Sequence, residues 1–496
     1  MRALILKYFQ TSPRSKIAFY TFALGFILLN SWLVLTKDTL LGVVIPVVLL
    51  FALVAIFSYD KLFWMAIFFT PFSVPLKEFV QAPFDMLLPT EPLVFAILIL
   101  FFIGLLTGKR LPKALLQHPI SIVIYVYLGW MLVTVFTSTL PLVSIKFFLN
   151  RLWYIVAFYF LAAFLFRDRK NIDKFVWVYM LALLPVIGYT IFRHAGYGLY
   201  NKQAAHFVMT PFFNDHTLYG AILAFFIPFL LGYAFTNFYA SKRKFWSTVL
   251  LIIFVVAIIL SYTRAAWLSL FIGFGVWFMM RMKIKFRTLL ISVGALLLMF
   301  LAFQKQIIMK LEQNSQDSSS NLTEHLNSMT NISTDASNVE RINRWSCAIQ
   351  MFNEKPVLGW GPGTYAMNYA PFQLTKYRTI ISTNSGDGGN AHSEYLGALT
   401  ESGGIGTLTF IVLIAMALYY GIMTHIHTRD KHLRTLVISA VVALMTYYVH
   451  AFLNNFLDID KAAVPFWGFT AIIVALDIYH REQAKSNSVE TFSSEI

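Results

Sequence analysis

The sequence predicts an all-α polytopic membrane protein with about 12–14 transmembrane helices and one long periplasmic loop containing short helices. Three observations predict it. Of the 496 residues, 58% are hydrophobic and 13% charged, with a mean hydropathy of +0.66, whereas a soluble chain carries about a quarter charged residues. Apolar stretches such as 17–35, 88–106 and 247–263 are each long enough for a helix to cross about 30 Å of hydrocarbon. The lysines and arginines fall in short runs between such stretches, as the loops of a multi-pass chain require.

Taken in order, spans are expected to begin near residues 17, 39, 62, 88, 120, 149, 175, 217, 247, 265, 288, 395, 435 and 462. The first apolar segment is long and is soon followed by another, so it reads as a retained anchor rather than a cleaved signal peptide. The chain divides into N-terminal transmembrane helices (1–174), a core transmembrane region containing Arg264 (175–304), a large periplasmic loop (305–394), C-terminal transmembrane helices (395–480) and a cytoplasmic tail (481–496). With the N-terminus in the cytoplasm, most of the 39 Lys and Arg fall on the cytoplasmic side. Both termini are then cytoplasmic and the long loop faces outward. The net charge of +15 is thus explained by topology, and no nucleic-acid partner is expected.

The loop differs in kind from the spans. Residues 312–338 are rich in Ser, Asn and Asp, Arg341 to Gln350 reads as a short helix, and Pro356 to Thr364 packs prolines and glycines into turns. Long connections inside a compact protein are usually functional or disordered. The single cysteine, Cys347, excludes an intramolecular disulfide framework and any multi-cysteine metal site. Nucleotide-binding glycine loops, His-Glu-x-x-His and Gly-x-Ser-x-Gly do not occur, nor does an outward Asp-rich cluster beyond Asp458 and Asp460. The expectation is a reaction without metal or cofactor.

Chemistry is expected where ionisable groups meet the outer ends of spans, because they are costly there. His392 opens the segment Asn390 to Gly406, followed by Ser393 and Glu394 and by Gly403 and Gly406. A histidine can take a proton from an attacking hydroxyl. The structural alternative has His392 capping a helix, Glu394 solvated and the glycines easing helix packing. Arg264 is a single arginine between two apolar stretches with no acidic residue within ten positions. It is either a snorkelling side chain in a tight hairpin or a planar fork for phosphate oxygens. Arg341 and Arg344 suit phosphate or a solvated helix face. Asp215 or His216 can cap the helix that follows. His450 and Asn454 are one turn apart and either orient His392 or bond to each other. His425 and His427 read as solvated.

These residues resemble the O-antigen ligase and O-antigen polymerase superfamily of bacterial envelope enzymes. The ligase pattern is His, then Asn, Ser or Gln, nine residues, Gly, two residues, then Gly, Thr or Tyr; His392, Ser393, Gly403 and Gly406 fit it without a gap. Ser261 to Arg264 looks like the family's Ser-x-x-Arg step, and Arg341 to Trp345 with Pro356 to Gly363 is similar to its Arg, Trp and Pro-x-x-Gly-x-Gly-x-Gly stretch. Phe213 to Gly220 resembles the segment opening the family's core. One departure is that Lys202 and His206 stand where the ligases usually carry a second phosphate-binding arginine.

The resemblance implies transfer of a glycan from an undecaprenyl-diphosphate carrier in the inner membrane to an acceptor hydroxyl at the periplasmic face. His392 would be the base and Arg264, helped by Arg341 or Arg344, would hold the diphosphate. The favoured acceptor is lipid A core, with O-antigen polymerisation and protein O-glycosylation as alternatives. A transporter or flippase is the reading from another class, and it predicts ionisable groups near the bilayer midplane rather than at its outer edge.

Overall fold

A computed structural model describes residues 20–21, 24–31, 59–79, 85–108, 110–236, 239–282, 288, 291, 336–374 and 389–494. The chain forms two compact units, Met1–Phe63 and Trp64–Ile496. In the first, residues 24–31 are helical and expose Leu24, Ile27 and Leu28. The second holds every candidate site residue.

Helix α1 (Tyr59–Phe69) occupies the place expected for a span near 62, but it has only 11 residues. Pro71 and Pro75 follow it, and a proline cannot continue a helix ladder. A short antiparallel pairing of β1 (Val74–Pro75) and β2 (Leu87–Leu88) leads into α2 (Thr90–Leu106). After the short α3 (Lys113–Leu116) come α4 (Pro119–Phe136), α5 (Pro141–Leu165), α6 (Lys170–Tyr197), α7 (His216–Phe235), α8 (Ser241–Leu260) and α9 (Arg264–Arg281). The long loop contributes α10 (Ala336–Glu354) and α11 (Tyr365–Asn368). The chain then returns through α12 (Glu394–His427), α13 (Lys431–His450) and α14 (Asp460–Ser494).

Among the described residues, eight of these helices are long and apolar enough to cross a membrane: α4, α5, α6, α7, α8, α12, α13 and the Asp460–Gln483 part of α14. The chain is therefore an all-α, multi-pass membrane protein. The expected spans near 39 and 288 and the Ser- and Asn-rich part of the loop lie outside the described residues or nearly so.

Local sequence sets the helix starts. Asp215 accepts hydrogen bonds from Thr217 N and Leu218 N at the start of α7, and Asp430 accepts from His432 N and Leu433 N at the start of α13. Ser393 caps α12, and the His118 ring accepts from Ile120 N ahead of Pro119. Helix α10 is longer than the expected Arg341 to Gln350, because Asn343, Cys347 and Met351, spaced four apart, form one buried stripe against Tyr365, Tyr369 and Ala391.

Helices α7 and α14 form the centre: 78% and 89% of their apolar windows are buried, against 28% for α8. Peripheral helices instead turn Phe95, Phe102, Ile252 and Phe271 outward, the inverse of a water-soluble surface. The middle of α5 widens into a π turn (Val156–Leu161), wholly buried and packed on α14.

Candidate active site

Four helix ends and the loop helix α10 converge around His392. The turn between α8 and α9 is pinned to the start of α7: Thr263 Oγ1 donates to His216 O at 2.7 Å, and a Cβ at Gly220 would stand 2.7 Å from that of Thr263. Arg264, half-buried, is the first residue of α9, and Tyr262, two residues earlier, has φ 51°. Helix α9 packs along α13, so the ring of His450, at the end of α13, faces the backbone of Ala265. The N-terminal ends of α7 and α9, each carrying partial positive charge, thus lie beside one another, with Arg264 as the first residue of α9.

His392 itself has φ 47°, the left-handed region that residues with a Cβ enter at a cost. Three contacts hold it there. Its N–H donates to Asn390 Oδ1 at 2.9 Å, its carbonyl accepts from Trp345 Nε1 at 3.3 Å, and Asn390 Nδ2 donates to Asn455 O at 3.1 Å. Burial lowers the pKa of the imidazole to about 4; the positive charges of Arg341 and Arg344 act in the same direction, and Glu340 and Asp215 oppose them. The ring is consequently neutral at neutral pH and able to accept a proton.

Helix α10 brings the two loop arginines, in different settings. Arg341 is half-buried, and its charge reaches His392, His216 and His450. Arg344 is buried, its Nε 2.6 Å from Glu340 Oε1 and its guanidinium 3.8 Å over the Tyr369 ring; the Tyr365 hydroxyl donates to its carbonyl at 2.8 Å. Arg344 is thus no part of a solvated helix face. Lys202 and His206 are exposed on the segment leading to α7, and the His206 and His216 rings lie 4.1 Å apart. Lys202 and Arg341 both act electrostatically on His216.

The remaining supporting residues fall into two groups. His450 Nε2 and Asn454 Nδ2 are 3.0 Å apart, so this pair bonds within itself, across the end of α13. Glu394 is buried rather than solvated: its Oε1 accepts from the Tyr447 hydroxyl and from Phe456 N and Leu457 N. Together with Arg151, Tyr127 and Glu401 it lines a separate cavity of about 30 Å³, roughly one water's volume. Gly403 and Gly406 lie further along α12. There the helix breaks at Gly403 (φ 67°, ψ −173°), and the Pro356 to Gly361 turn docks into the break. Trp360 N donates to Thr400 O at 3.0 Å, Gly361 N to Glu401 O at 2.9 Å, and Gly404 N to Pro356 O at 2.8 Å. A Cβ at Gly403 would lie 2.0 Å from Val357 O. The glycine step of the motif therefore seats the loop, while its histidine faces the cationic cluster. Asp458 and Asp460 are each engaged, Asp458 with Arg151 at 2.6 Å and Asp460 with Lys461 at 3.1 Å. His425 is bonded to the Arg434 backbone carbonyl at 3.1 Å rather than simply solvated.

Sequence reasoning passed over Glu340, Trp345 as a donor, Tyr369 and Asn390. Only Asn390 carried a local signal, an Asn two residues before the backbone N–H it accepts from.

Comparison with known proteins adds one match and one absence. No curated protein matches the chain. The family model described as O-antigen ligase matches residues 248–411, a range that includes Arg264, Arg341, Arg344, His392, Ser393, Gly403 and Gly406 and stops short of Lys202, His206, Asp215, His216, His450 and Asn454. Over those residues, about a third of the chain, this multi-pass helical membrane protein is similar to the O-antigen ligase family, a likeness that supports glycan transfer of the ligase or polymerase type.

Proposed function

We propose that this protein transfers a glycan from undecaprenyl diphosphate to an acceptor hydroxyl at the periplasmic face of the inner membrane, the acceptor being lipid A core. The observation that carries the reading is the placement of His392: a half-buried, neutral imidazole, held at φ 47°, within reach of the charge of Arg341 and Arg344 and of Asp215 at the start of α7. His392 takes the proton of the acceptor hydroxyl as its oxygen attacks the anomeric carbon. The bond from that carbon to the diphosphate oxygen breaks, and undecaprenyl diphosphate leaves with the electron pair. His392 then returns its proton to water.

Arg264 and Arg341 bind the diphosphate and stabilise the charge that grows on the leaving oxygen, the interaction that must strengthen in the transition state. The helix N-termini supply the same sign of potential. Arg344, clamped by Glu340 and Tyr369, fixes α10 and so the position of Arg341. Lys202, His206 and His216 lie on the α7 side and serve as the second contact to the phosphates, and Asp215 fixes the start of α7. Ser393, Glu394, His450 and Asn454 secure the ends of α12 and α13. No metal or cofactor enters the scheme.

The test is reconstitution of the purified protein with undecaprenyl-diphosphate-linked glycan and lipid A core, with products resolved on gels. Glycosylated lipid A core that disappears in His392→Ala supports the proposal. Lengthened carrier-linked glycan would instead identify a polymerase, and glycoprotein formed from an added protein acceptor a protein transferase. Unchanged transfer in His392→Ala would remove the base assignment, and absence of any transfer would favour a transporter.

A further inference from the structure

At the opposite end of the bundle from His392, a cleft of about 160 Å³ opens between α3, the end of α5 and the end of the membrane-crossing part of α14, about five waters' volume at ~30 Å³ each. Its walls are apolar, from Leu115, Ala163, Phe166, Leu476 and Ile478, and its mouth carries Arg167 and Arg169. Short α3 is tied down beside it, since Ser121 Oγ donates to Leu115 O at 2.7 Å. Arg169 is held in place, 4.5 Å over the Tyr479 ring and 3.5 Å from Asp430, while Arg167 is exposed. Asp168, between them in sequence, turns its carboxylate to Lys170 N at 3.1 Å, and Glu482 is the acidic member of the lining. An apolar slot with guanidinium groups at its mouth, where two membrane-crossing helices end, matches a molecule with a phosphodiester head and hydrocarbon tails. A soluble phosphate would leave the apolar walls unused.

We propose that this cleft binds an anionic phospholipid, with its phosphodiester on Arg167 and Arg169 and its acyl chains along the walls formed by α5 and α14. The site is separate from the glycan-transfer site, and its occupancy secures α3 and the end of α14 from the membrane side. The experiment uses the full chain in detergent, titrated with phosphatidylglycerol and phosphatidylcholine of equal acyl length and followed by native mass spectrometry. Phosphatidylglycerol is expected to be retained about fivefold better. Arg167→Glu, an exposed change that leaves the packing intact, should abolish that preference, whereas Lys242→Glu, exposed at the same end but outside the cleft, should preserve it. Equal retention of the two lipids by the unaltered protein, loss of the preference in both variants alike, or displacement of phosphatidylglycerol by an equal concentration of glycerol 3-phosphate would each overturn the proposal.

Discussion

The backbone of His392, at φ 47°, sits where a residue with a Cβ pays about 1 kcal/mol that glycine does not. Two substitutions separate side chain from backbone. His392→Ala and His392→Gly both remove the imidazole and should both abolish transfer, but the glycine variant should be more stable than the alanine variant by about 1 kcal/mol. Thermal unfolding of the two in detergent measures the difference, and equal midpoints would mean that the conformation is unstrained. The lowered pKa of His392, about 4, fixes the pH behaviour. A base with a depressed pKa is neutral above it, so kcat/KM, which reports the free enzyme, should stay level through the ordinary histidine range and fall only as the pH approaches 4. Arg341→Gln removes one of the charges that depress it, and should move that acid limb upward; a limb already near 6.5 in the unaltered protein would contradict the burial argument. Arg264→Lys keeps a charge but loses the planar fork, and a loss of about tenfold or more in kcat/KM at unchanged protein level is expected. His392 and Arg264 were legible in the sequence because ionisable groups at span ends are conspicuous in an apolar chain. Glu340 and Trp345 were not, because what they do depends on which strand of chain packs over α10.

Within elements, the break in α12 is the joint between the loop and the bundle. The carbonyls of Thr400 and Glu401, released where the helix breaks at Gly403, are taken up by Trp360 N and Gly361 N, and Trp130 Nε1 donates to Ser402 O at 2.9 Å. Gly403→Ala would place a methyl 2.0 Å from Val357 O at φ 67°. Overpacking and the left-handed backbone together should cost about 2–4 kcal/mol and detach the loop. Gly404→Ala is the control, since its nearest neighbour stands at 3.5 Å, ordinary contact. Comparable unfolding midpoints for the two variants would show that the docked turn is not what seats the loop. From sequence, Gly403 and Gly406 read as small residues for helix packing, and Pro356 to Thr364 as turns. That the two fit each other was not legible, since a helix break is stabilised by its tertiary partner and leaves no mark in hydropathy. The cap at Asp215 was legible, a short polar side chain ahead of an apolar run, whereas the cap of α12 was expected at His392 and falls one residue later, on Ser393.

Across the whole molecule, charge is distributed unequally between the two ends of the bundle. Arg167, Arg169, Lys170, Lys242, Arg243, Lys244, Arg281, Arg429, Lys431 and Arg434 lie in the helix ends and connections at the end away from His392. Several are drawn into local networks there: Arg243 lies 2.8 Å from Asp173 and packs over Tyr233 and Tyr239, and His432 lies 3.2 Å from the same carboxylate. Short loops rich in Lys and Arg stay on the cytoplasmic side during insertion, so the His392 end is expected to face the periplasm, where an acceptor carrying lipid A core would meet it. Cysteine labelling of spheroplasts tests this directly, because the native Cys347 is buried. Lys202→Cys, exposed at the site end, should react with a membrane-impermeant maleimide added outside, and Arg167→Cys, exposed at the other end, only after the membrane is opened. The reverse pattern would place the histidine in the cytoplasm, away from the acceptor, and with it the proposed reaction would fail.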